Sequence, residues 1–210
     1  MKKYPRTPHL PWSPGATSDD VWIESLDSLK SGPIVITEKM DGECTTLYRD
    51  GLHARSIDAR SHPSQSWVRG LHASICSDIP IGWRVCGENL YARHSISYTS
   101  LPSFFLVFAI FDGGDNCLSW DTTEEWCRLL GLETVPVIYR GEWDDVAVSR
   151  TPPKGSEGYV VRKAKNFKES DFALSVAKYV RANHVQTSTH WKSSEIIPNE
   201  LKEPCDKVSE

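Results

Sequence analysis

Apolar runs separated by short polar stretches predict a strand-rich protein. Ile34-Val35-Ile36-Thr37 is a β-branched run, and alternation resumes through Cys44-Thr45-Thr46-Leu47-Tyr48; both patterns are typical of strands. Residues 104–111 are almost continuously apolar, as expected of a strand that is covered on both faces. Further strands are predicted at residues 52–56, 83–91, 135–139, 157–162 and 176–180.

Three helices are predicted between these strands. Ser18-Asp19-Asp20 is suited to cap a helix through residues 21–29, and the apolar spacing indicates a second helix over residues 67–75. The capping-box pattern Asp121-Thr122-Thr123-Glu124 begins a third helix, which ends at Gly131. Together these elements predict an α+β fold of mostly antiparallel sheets with helices on the outside.

The predicted elements divide the chain into three parts. Residues 1–17 contain Pro5, Pro8, Pro11 and Pro14, so they are expected to form an irregular N-terminal arm. Residues 18–182 hold the predicted elements and fit one domain. Residues 183–210 are polar, which favours a short helix or a loose C-terminal tail.

Composition and charge exclude several classes of protein. The 210 residues are 39% hydrophobic and 25% charged, which is ordinary for a globular domain. The net charge of −4 provides no overall basic field, so any polyanion site must be a local cluster. No apolar run approaches the roughly 20 residues that span a membrane. The six scattered cysteines include no Cys-x-x-Cys pair, which favours reduced thiols in a cytoplasmic protein.

A lysine followed by a tight turn is the first candidate for chemistry. Lys39 stands at the end of the β-branched strand and is followed by Met40-Asp41-Gly42. Burial at a strand end lowers the pKa of a lysine, so the amine could act as a nucleophile near neutral pH. The alternative is a solvated lysine in an ordinary turn between two strands.

Further chemically distinctive side chains stand on the other predicted strands. Each also has a simpler explanation. Glu88 and Glu157 fit edge-strand carboxylates that face water, Lys178 fits a solvated lysine of a sheet, and Phe108 fits a core residue. Arg55 likewise fits the surface of a hairpin.

Six short segments, taken in order, resemble motifs of the covalent nucleotidyltransferases. This superfamily contains ATP-dependent DNA ligases, RNA ligases and mRNA-capping guanylyltransferases. The resemblance runs from about residue 34 to residue 182. Its segments are Lys39-Met40-Asp41-Gly42-Glu43, Ala54-Arg55-Ser56, Gly87-Glu88-Asn89, residues 104–112, Glu157-Gly158-Tyr159-Val160-Val161 and Ala177-Lys178-Tyr179-Val180-Arg181.

Within the superfamily the chain is most similar to compact ATP-dependent RNA ligases of the RNA-ligase-2 type. The resemblance implies a nucleotidyltransferase (ATP-grasp-like) fold for residues 18–182. DNA ligases and capping enzymes carry an oligonucleotide-binding barrel after the last motif, and the stretch after Lys178 is too short for one. RNA-ligase-2 relatives also have an added C-terminal domain, so an accessory RNA-binding protein is an expected partner if the catalytic domain does not engage RNA alone.

The resemblance implies a role for each motif residue. Lys39 would attack the α-phosphate of ATP and form lysyl–AMP, Glu88 would bind the ribose, and Phe108 would stack on the adenine. Glu157 would lie near Lys39 and a bound Mg²⁺, or Mn²⁺ in its place. Lys178 would contact the α-phosphate. Glu38, which precedes the nucleophile, is a further candidate for nucleotide binding.

AMP would then pass to an RNA 5′-phosphate, and a 3′-hydroxyl would displace it. Arg55, Arg60 and Arg181 are the candidates for contact with the triphosphate or with RNA, because a guanidinium suits phosphate. The chain departs from the pattern at Cys44, where relatives often have Arg or Asn. It also departs after Lys178, where Tyr179 interrupts the usual Lys-x-Lys.

Three functions are therefore compared. The first is an ATP-dependent RNA ligase that joins 5′-phosphate and 3′-hydroxyl ends. The second is a DNA nick ligase or another covalent nucleotidyltransferase of the same fold. The third is a non-catalytic nucleotide- or RNA-binding module, for which an intact Lys39 nucleophile would be unnecessary.

Overall fold

The computed structural model describes residues 1–57, 62–149, 152–183 and 195–203. It has two packed β-sheets and short helices, in agreement with the predicted α+β class. Arg60 and most of residues 183–210 lie outside the described residues. No described helix is long and apolar enough to cross a membrane. The elements are α1 (Asp27–Lys30), β1 (Ile34–Lys39), β2 (Glu43–Tyr48), β3 (Gly51–Ala54), α2 (Ser66–Ile75), β4 (Arg84–Asn89), β5 (Phe105–Phe111), β6 (Asn116–Cys117), α3 (Trp120–Leu130), β7 (Glu133–Thr134), β8 (Val137–Gly141), α4 (Asp145–Val148), β9 (Gly158–Lys163), β10 (Phe167–Lys168), α5 (Phe172–Ser175) and β11 (Val176–Val180).

The first sheet carries three of the candidate residues on neighbouring strands. Its order is β11-β9-β1-β8, and each pair is antiparallel. In the β1–β9 register Lys39 lies opposite Gly158, which brings the preceding residue, Glu157, to the end of β1. Lys178 on β11 lies opposite Val160. The sheet therefore gathers residues that are far apart in the sequence.

The second sheet supplies the opposite wall of the site. Its order is β10-β6-β5-β4-β2-β3, and β7 pairs with β5 in parallel. Between Cys86 and Gly87 the register of β4 with β5 jumps from Ala109 to Val107. Phe108 is thus the extra residue of a β-bulge, a feature that re-aims a side chain.

Apolar side chains fill the space between and outside the sheets. Buried Val35, Met40, Leu106 and Trp120 belong to one cluster with members on both sheets. A second cluster holds Val68 of α2, Cys127 and Leu130 of α3, and residues of the second sheet. These helices were predicted, although Ser119 caps α3 through a bond from Thr122 N–H, whereas Asp121 was expected to begin it.

The helix expected over residues 21–29 is wrong. Only α1 is helical there, and Trp22 instead forms an extended bridge with His9 of the N-terminal arm. The apolar spacing of this stretch therefore reflects chain that pairs with the arm. Residues 195–203 belong to the stretch that was expected to be a short helix or a loose tail. They pack on the domain in an extended form, where Pro198 pairs with Ala92 and Leu201 with Leu101.

Candidate functional site

A cavity of about 470 Å³ lies between the two sheets, and most candidate residues line it. Its walls come from strands of both sheets and from the N-terminal arm. Glu157 stands beside it, through its contact with Lys39. The candidates that line the cavity are Glu38, Lys39, Arg55, Glu88, Phe108 and Lys178.

Lys39 is the last residue of β1 and its amine is bound to a carboxylate. Lys39 Nζ donates to Glu157 Oε2 at 2.6 Å, and the two side chains are 25% and 8% exposed. Burial lowers the pKa of Lys39, but the nearby carboxylates of Glu157, Glu88 and Asp41 outweigh it, so the net pKa is raised. The expectation of a lowered pKa is therefore wrong for the free protein. Lys39 is an ammonium there and must lose a proton before it can act as a nucleophile.

The turn after Lys39 is fixed by backbone hydrogen bonds. Asp41 Oδ2 accepts from the N–H groups of Ser95 and Ile96, both at 2.8 Å, and Asp41 N–H donates to the Tyr98 hydroxyl at 2.9 Å. A Cβ at Gly42 would lie 2.6 Å from the carbonyl oxygen of Asn89, so the backbone approach requires glycine. The Asp-Gly pair shapes the turn that presents the lysine.

Glu88 faces the cavity from the end of β4. Its Oε1 accepts from Gly42 N–H at 3.2 Å, which ties the carboxyl group to the turn after Lys39. Burial raises the pKa of Glu88 to about 8, with Lys39 opposing and Glu157 adding to that effect. From this position the Glu88 carboxyl group can form a hydrogen bond with a hydroxyl group in the cavity.

Phe108 is supported on two sides. Arg162 Nη1 donates to the Phe108 carbonyl oxygen at 3.3 Å, beneath the bulge. The ring of Tyr4 meets the Phe108 ring edge-on, with centroids 4.9 Å apart, and also contacts Phe111 and Phe172. The aromatic wall of the cavity is therefore completed by the N-terminal arm.

Lys178 is held by the N-terminal arm through both backbone and side chain. Lys178 N–H donates to Pro8 O, and Leu10 N–H donates to Lys178 O, each at 2.8 Å. Lys178 Nζ lies 3.4 Å from Asp20 Oδ1. Burial lowers the pKa of Lys178, and Asp20 opposes that shift. Asp20 thereby favours the cation at the cavity.

The arginine candidates have different surroundings. Arg55 follows β3, is exposed and lines the cavity. Arg181 does not line it; its Nε donates to Ser156 O at 2.8 Å and its N–H to Glu157 O at 3.0 Å. Arg181 therefore holds the residue next to Lys39, and its role in RNA binding stays a prediction, as does that of Arg60.

Sequence reasoning missed four residues that support the site. Asp20 was interpreted as part of a helix cap, and Tyr4 as part of an irregular arm. Arg162 and Tyr98 carried no motif signal. Only the folded chain brings them together, because their partners are far away in sequence: Asp20 and Lys178 are separated by 158 positions.

Comparisons with known proteins confirm the resemblance to RNA ligases. The family model described as RNA ligase matches residues 32–180, which is most of the chain. The chain belongs to the RNA ligase family. No curated protein matches it significantly.

Solved structures of this family share the fold. One is a Naegleria gruberi RNA ligase with PPi, with 17% identity, a TM-score of 0.55, and coverage of 76% of this chain and 52% of that chain. A variant of that ligase with ATP and Mn has 14% identity, a TM-score of 0.53, and coverage of 76% and 53%. A variant with AMP and Mn has 17% identity, a TM-score of 0.54, and coverage of 76% and 52%. The present chain thus spans about half the length of the Naegleria protein.

Proposed function

We propose that this RNA ligase family member is an ATP-dependent RNA ligase that works through lysyl–AMP. The observation that carries the proposal is the ion pair of Lys39 with Glu157 at the edge of a cavity lined by Glu88, Phe108 and Lys178. A nucleophile, a ribose-binding carboxyl group, an aromatic surface for adenine and a phosphate-binding cation meet in one place. Membership of the family and the ATP-bound Naegleria structure support this assignment.

In the first step Lys39 Nζ attacks the α-phosphorus of ATP. The ammonium of Lys39 first gives a proton to solvent, and the new P–N bond then forms as the bond to pyrophosphate breaks. Lys178 faces the same cavity and stabilises the negative charge that develops on the phosphoryl oxygens. Phe108 packs on the adenine and Glu88 binds the ribose, which orients the α-phosphate towards the amine.

Glu157 and Glu38 are the residues that would hold a divalent cation. Glu157 is a nearly buried carboxylate next to the nucleophile, and Glu38 lines the cavity. Among the described residues no cluster of three or more acidic, histidine or cysteine side chains is arranged around one point. This fits Mg²⁺ or Mn²⁺, because Mg²⁺ is usually bound by one or two carboxylates together with substrate phosphates. When bound, the cation supplies neutralisation of phosphate charge.

In the later steps AMP passes from Lys39 to the RNA 5′-phosphate, and the two RNA ends are then joined. An oxygen of the RNA 5′-phosphate attacks the phosphorus of lysyl–AMP, the P–N bond breaks, and Lys39 leaves with a proton. A 3′-hydroxyl then attacks the 5′-phosphorus, a phosphodiester forms and AMP departs. Residues 18–182 would perform this chemistry in the cytoplasm, where the free thiols of the described cysteines fit a reducing compartment. An accessory RNA-binding protein is a proposed partner.

Labelling of the protein with nucleotide tests the first step. Protein freed of bound AMP is incubated with Mg²⁺ and α-labelled ATP or GTP, denatured, and compared with a Lys39→Ala variant. We expect label from ATP that survives denaturation and is absent from the variant. Label from GTP alone would indicate capping chemistry. The absence of label with either nucleotide would favour a non-catalytic module.

A strand-joining assay then shows whether RNA or DNA is the preferred acceptor of AMP. Labelled protein is offered nicked RNA and nicked DNA with 5′-phosphate ends, and joined product is measured. We expect product from RNA at a higher rate than from DNA. Product from DNA alone would favour a DNA nick ligase of the same fold.

A further inference from the structure

The beginning of the N-terminal arm is fixed to the domain at two points around Lys3. Lys2 N–H donates to the Tyr48 hydroxyl at 2.8 Å, and Lys2 Nζ lies 2.5 Å from Asp115 Oδ2. Tyr4, on the other side, is packed edge-on against the aromatic wall of the cavity. Lys3 therefore stands between two anchored residues.

The next part of the arm is fixed on both sides of Arg6. Tyr4 precedes it, and residues 8–10 follow it as an extended segment along β11. Lys178 N–H donates to Pro8 O at 2.8 Å, and His9 N–H donates to Val21 O at 2.7 Å. Because the backbone is bonded on both sides, the location of Arg6 is determined by the fold.

Lys3 and Arg6 both line a second cavity of about 650 Å³. Five of its residues also line the cavity of about 470 Å³ that holds Lys39, Phe108 and Lys178, here called the nucleotide cavity. The two spaces are therefore continuous. Lys39, Phe108 and Lys178 line only the nucleotide cavity. The second cavity is lined by Lys3, Tyr4, Pro5, Arg6, Glu43, Ala54, Arg55 and Ser56.

The charge of the second cavity is positive. Lys3, Arg6 and Arg55 are exposed, and none of them forms an ion pair with another residue in the part of the chain that the structure describes. Glu43 supplies the acidic side chain of the lining, but it is only 7% exposed and its Oε2 accepts from Gln65 Nε2 at 3.0 Å. Three exposed cations thus line one open space beside the cavity that is proposed to bind the nucleotide.

We propose that Lys3, Arg6 and Arg55 form a binding site for the 5′-phosphate end of the strand that receives AMP. The inference rests on the proposed function and adds Lys3 and Arg6 of the N-terminal arm to it. A guanidinium pairs with phosphate through two parallel hydrogen bonds, and a terminal phosphate carries more charge than an internal one. Because the two cavities are continuous, a phosphate in the second cavity can reach the nucleotide cavity without crossing the side of it that Phe108 lines.

Equilibrium binding of short RNA tests the site without chemistry. Fluorescent single-stranded RNA with a 5′-phosphate or a 5′-hydroxyl is titrated with the full chain in the presence of EDTA, so that no transfer occurs. We expect wild-type protein to prefer the 5′-phosphate. In Arg6→Gln and in Lys3→Gln the affinity for 5′-phosphorylated RNA should fall about tenfold, the effect of losing one hydrogen bond to a charged group. The slope of log affinity against log salt should fall by about 0.7 per lost contact.

Arg128→Gln is the matched control. Arg128 is an exposed arginine on α3 that lines neither cavity, and its variant should bind as wild type does. Unchanged melting temperatures of all the variants would show that the arm stays folded. Variants of Lys3 and Arg6 that keep the wild-type preference for the 5′-phosphate would overturn the proposal.

Lys3 and Arg6 could instead bind the triphosphate of ATP. The rates of self-labelling and of AMP transfer, measured separately, distinguish the triphosphate from the RNA 5′-phosphate. Self-labelling with ATP and transfer of AMP from labelled protein to 5′-phosphorylated RNA are measured for each variant. We expect transfer to fall more than self-labelling. A fall in self-labelling alone would overturn the proposal in favour of ATP. Wild-type protein that prefers 5′-phosphorylated RNA but never labels itself would refute the proposed function and leave this binding site standing.

Discussion

Lys178 and Asp20 form an ion pair at the edge of the first sheet, with Nζ and Oδ1 3.4 Å apart. Asp20 is itself fixed, because its Oδ2 accepts from the N–H and the hydroxyl of Thr17, both at 3.0 Å. The pair connects the N-terminal arm to the lysine expected to contact the α-phosphate. If Lys178 contacts the α-phosphate as proposed, Asp20 acts through it as a positioning residue.

Asp20→Asn should slow self-labelling with ATP by about tenfold, because misplacement of a catalytic cation by a fraction of an ångström has effects of this size. The loss of Asp20 should also lower the pKa of Lys178 further, because burial already lowers it and Asp20 opposes that shift. Since the amine is cationic only below its pKa, the alkaline decline in rate should begin at a lower pH in the variant. Rates measured across pH check both effects.

Asp19→Asn provides the control for this variant. It removes the neighbouring carboxylate, whose Oδ1 accepts from Ser18 Oγ at 3.2 Å and which makes no ion pair with Lys178. Its rate should equal that of wild type. Equal rates for Asp20→Asn and wild type at every pH would show that Lys178 does not depend on Asp20.

The protonation state of Lys39 in the free protein can be measured directly. Burial lowers its pKa, but Glu157 and the other carboxylates outweigh burial and raise it. We therefore expect Glu157→Gln to lower the pKa of Lys39, since the variant removes the carboxylate in direct contact with the amine while burial still favours the neutral form. NMR titration of ¹³C-methylated lysines would follow it, with a Lys39→Arg variant to identify the resonance. A pKa that stays the same in the variant would contradict the ion pair.

The sequence predicted the strands of the site better than its supporting contacts. The β-branched run before Lys39 and the apolar run around Phe108 specify strands through local pattern alone, and both are present as β1 and β5. Which strands pair with which was not predicted, because a local pattern does not specify the neighbour of a strand. The β-bulge at Phe108 left no signal, because it is set by pairing with β4.

The contacts of the two ends of the chain could not be predicted for a different reason. A proline-rich arm has no periodicity, so nothing local indicates that its backbone bonds to Lys178. Similarly, the apolar residues around Trp22 resemble a helix in spacing, and only the bridge to His9 explains their extended form. The conformation of the N-terminal arm and of the stretch around Trp22 is therefore set by contacts between residues that are far apart in the sequence.

Tyr4 should matter for both stability and nucleotide binding. Its ring packs edge-on against Phe108 and Phe172, with centroids 4.9 and 5.1 Å away. Tyr4→Ala should reduce the free energy of unfolding by about 2–4 kcal/mol, as large-to-small changes in packed aromatic clusters do. It should also raise the KM for ATP in self-labelling, because Phe108, which is proposed to pack on the adenine, loses the ring that supports it.

Tyr4→Phe distinguishes packing from the hydroxyl group. Burial raises the pKa of the Tyr4 phenol well above its usual value, so the hydroxyl is neutral and contributes no charge to the site. The variant should therefore keep the KM for ATP near that of wild type. Denaturant unfolding and initial rates measure the two quantities. A normal KM in Tyr4→Ala would separate the arm from nucleotide binding.

Asn199 links residues 195–203 to the turn after Lys39. It is 4% exposed, its Nδ2 donates to Leu90 O at 2.8 Å, and its Oδ1 accepts from Tyr98 N–H at 2.9 Å. The Tyr98 hydroxyl in turn accepts from Asp41 N–H. A segment that was expected to be a short helix or a loose tail thus reaches the turn after Lys39 through Asn199 and Tyr98.

Asn199→Ala should lower the free energy of unfolding by about 2–3 kcal/mol, because it leaves buried partners unsatisfied. It should also slow self-labelling, since Tyr98 would no longer be held against the turn that presents Lys39. Glu200→Gln is the control, because the Glu200 side chain is exposed while its backbone N–H donates to Tyr98 O and its backbone O accepts from Leu101 N–H. Denaturant unfolding and labelling rates would check the result. An Asn199→Ala variant that loses stability but labels at the wild-type rate would show that residues 195–203 stabilise the domain without positioning Lys39.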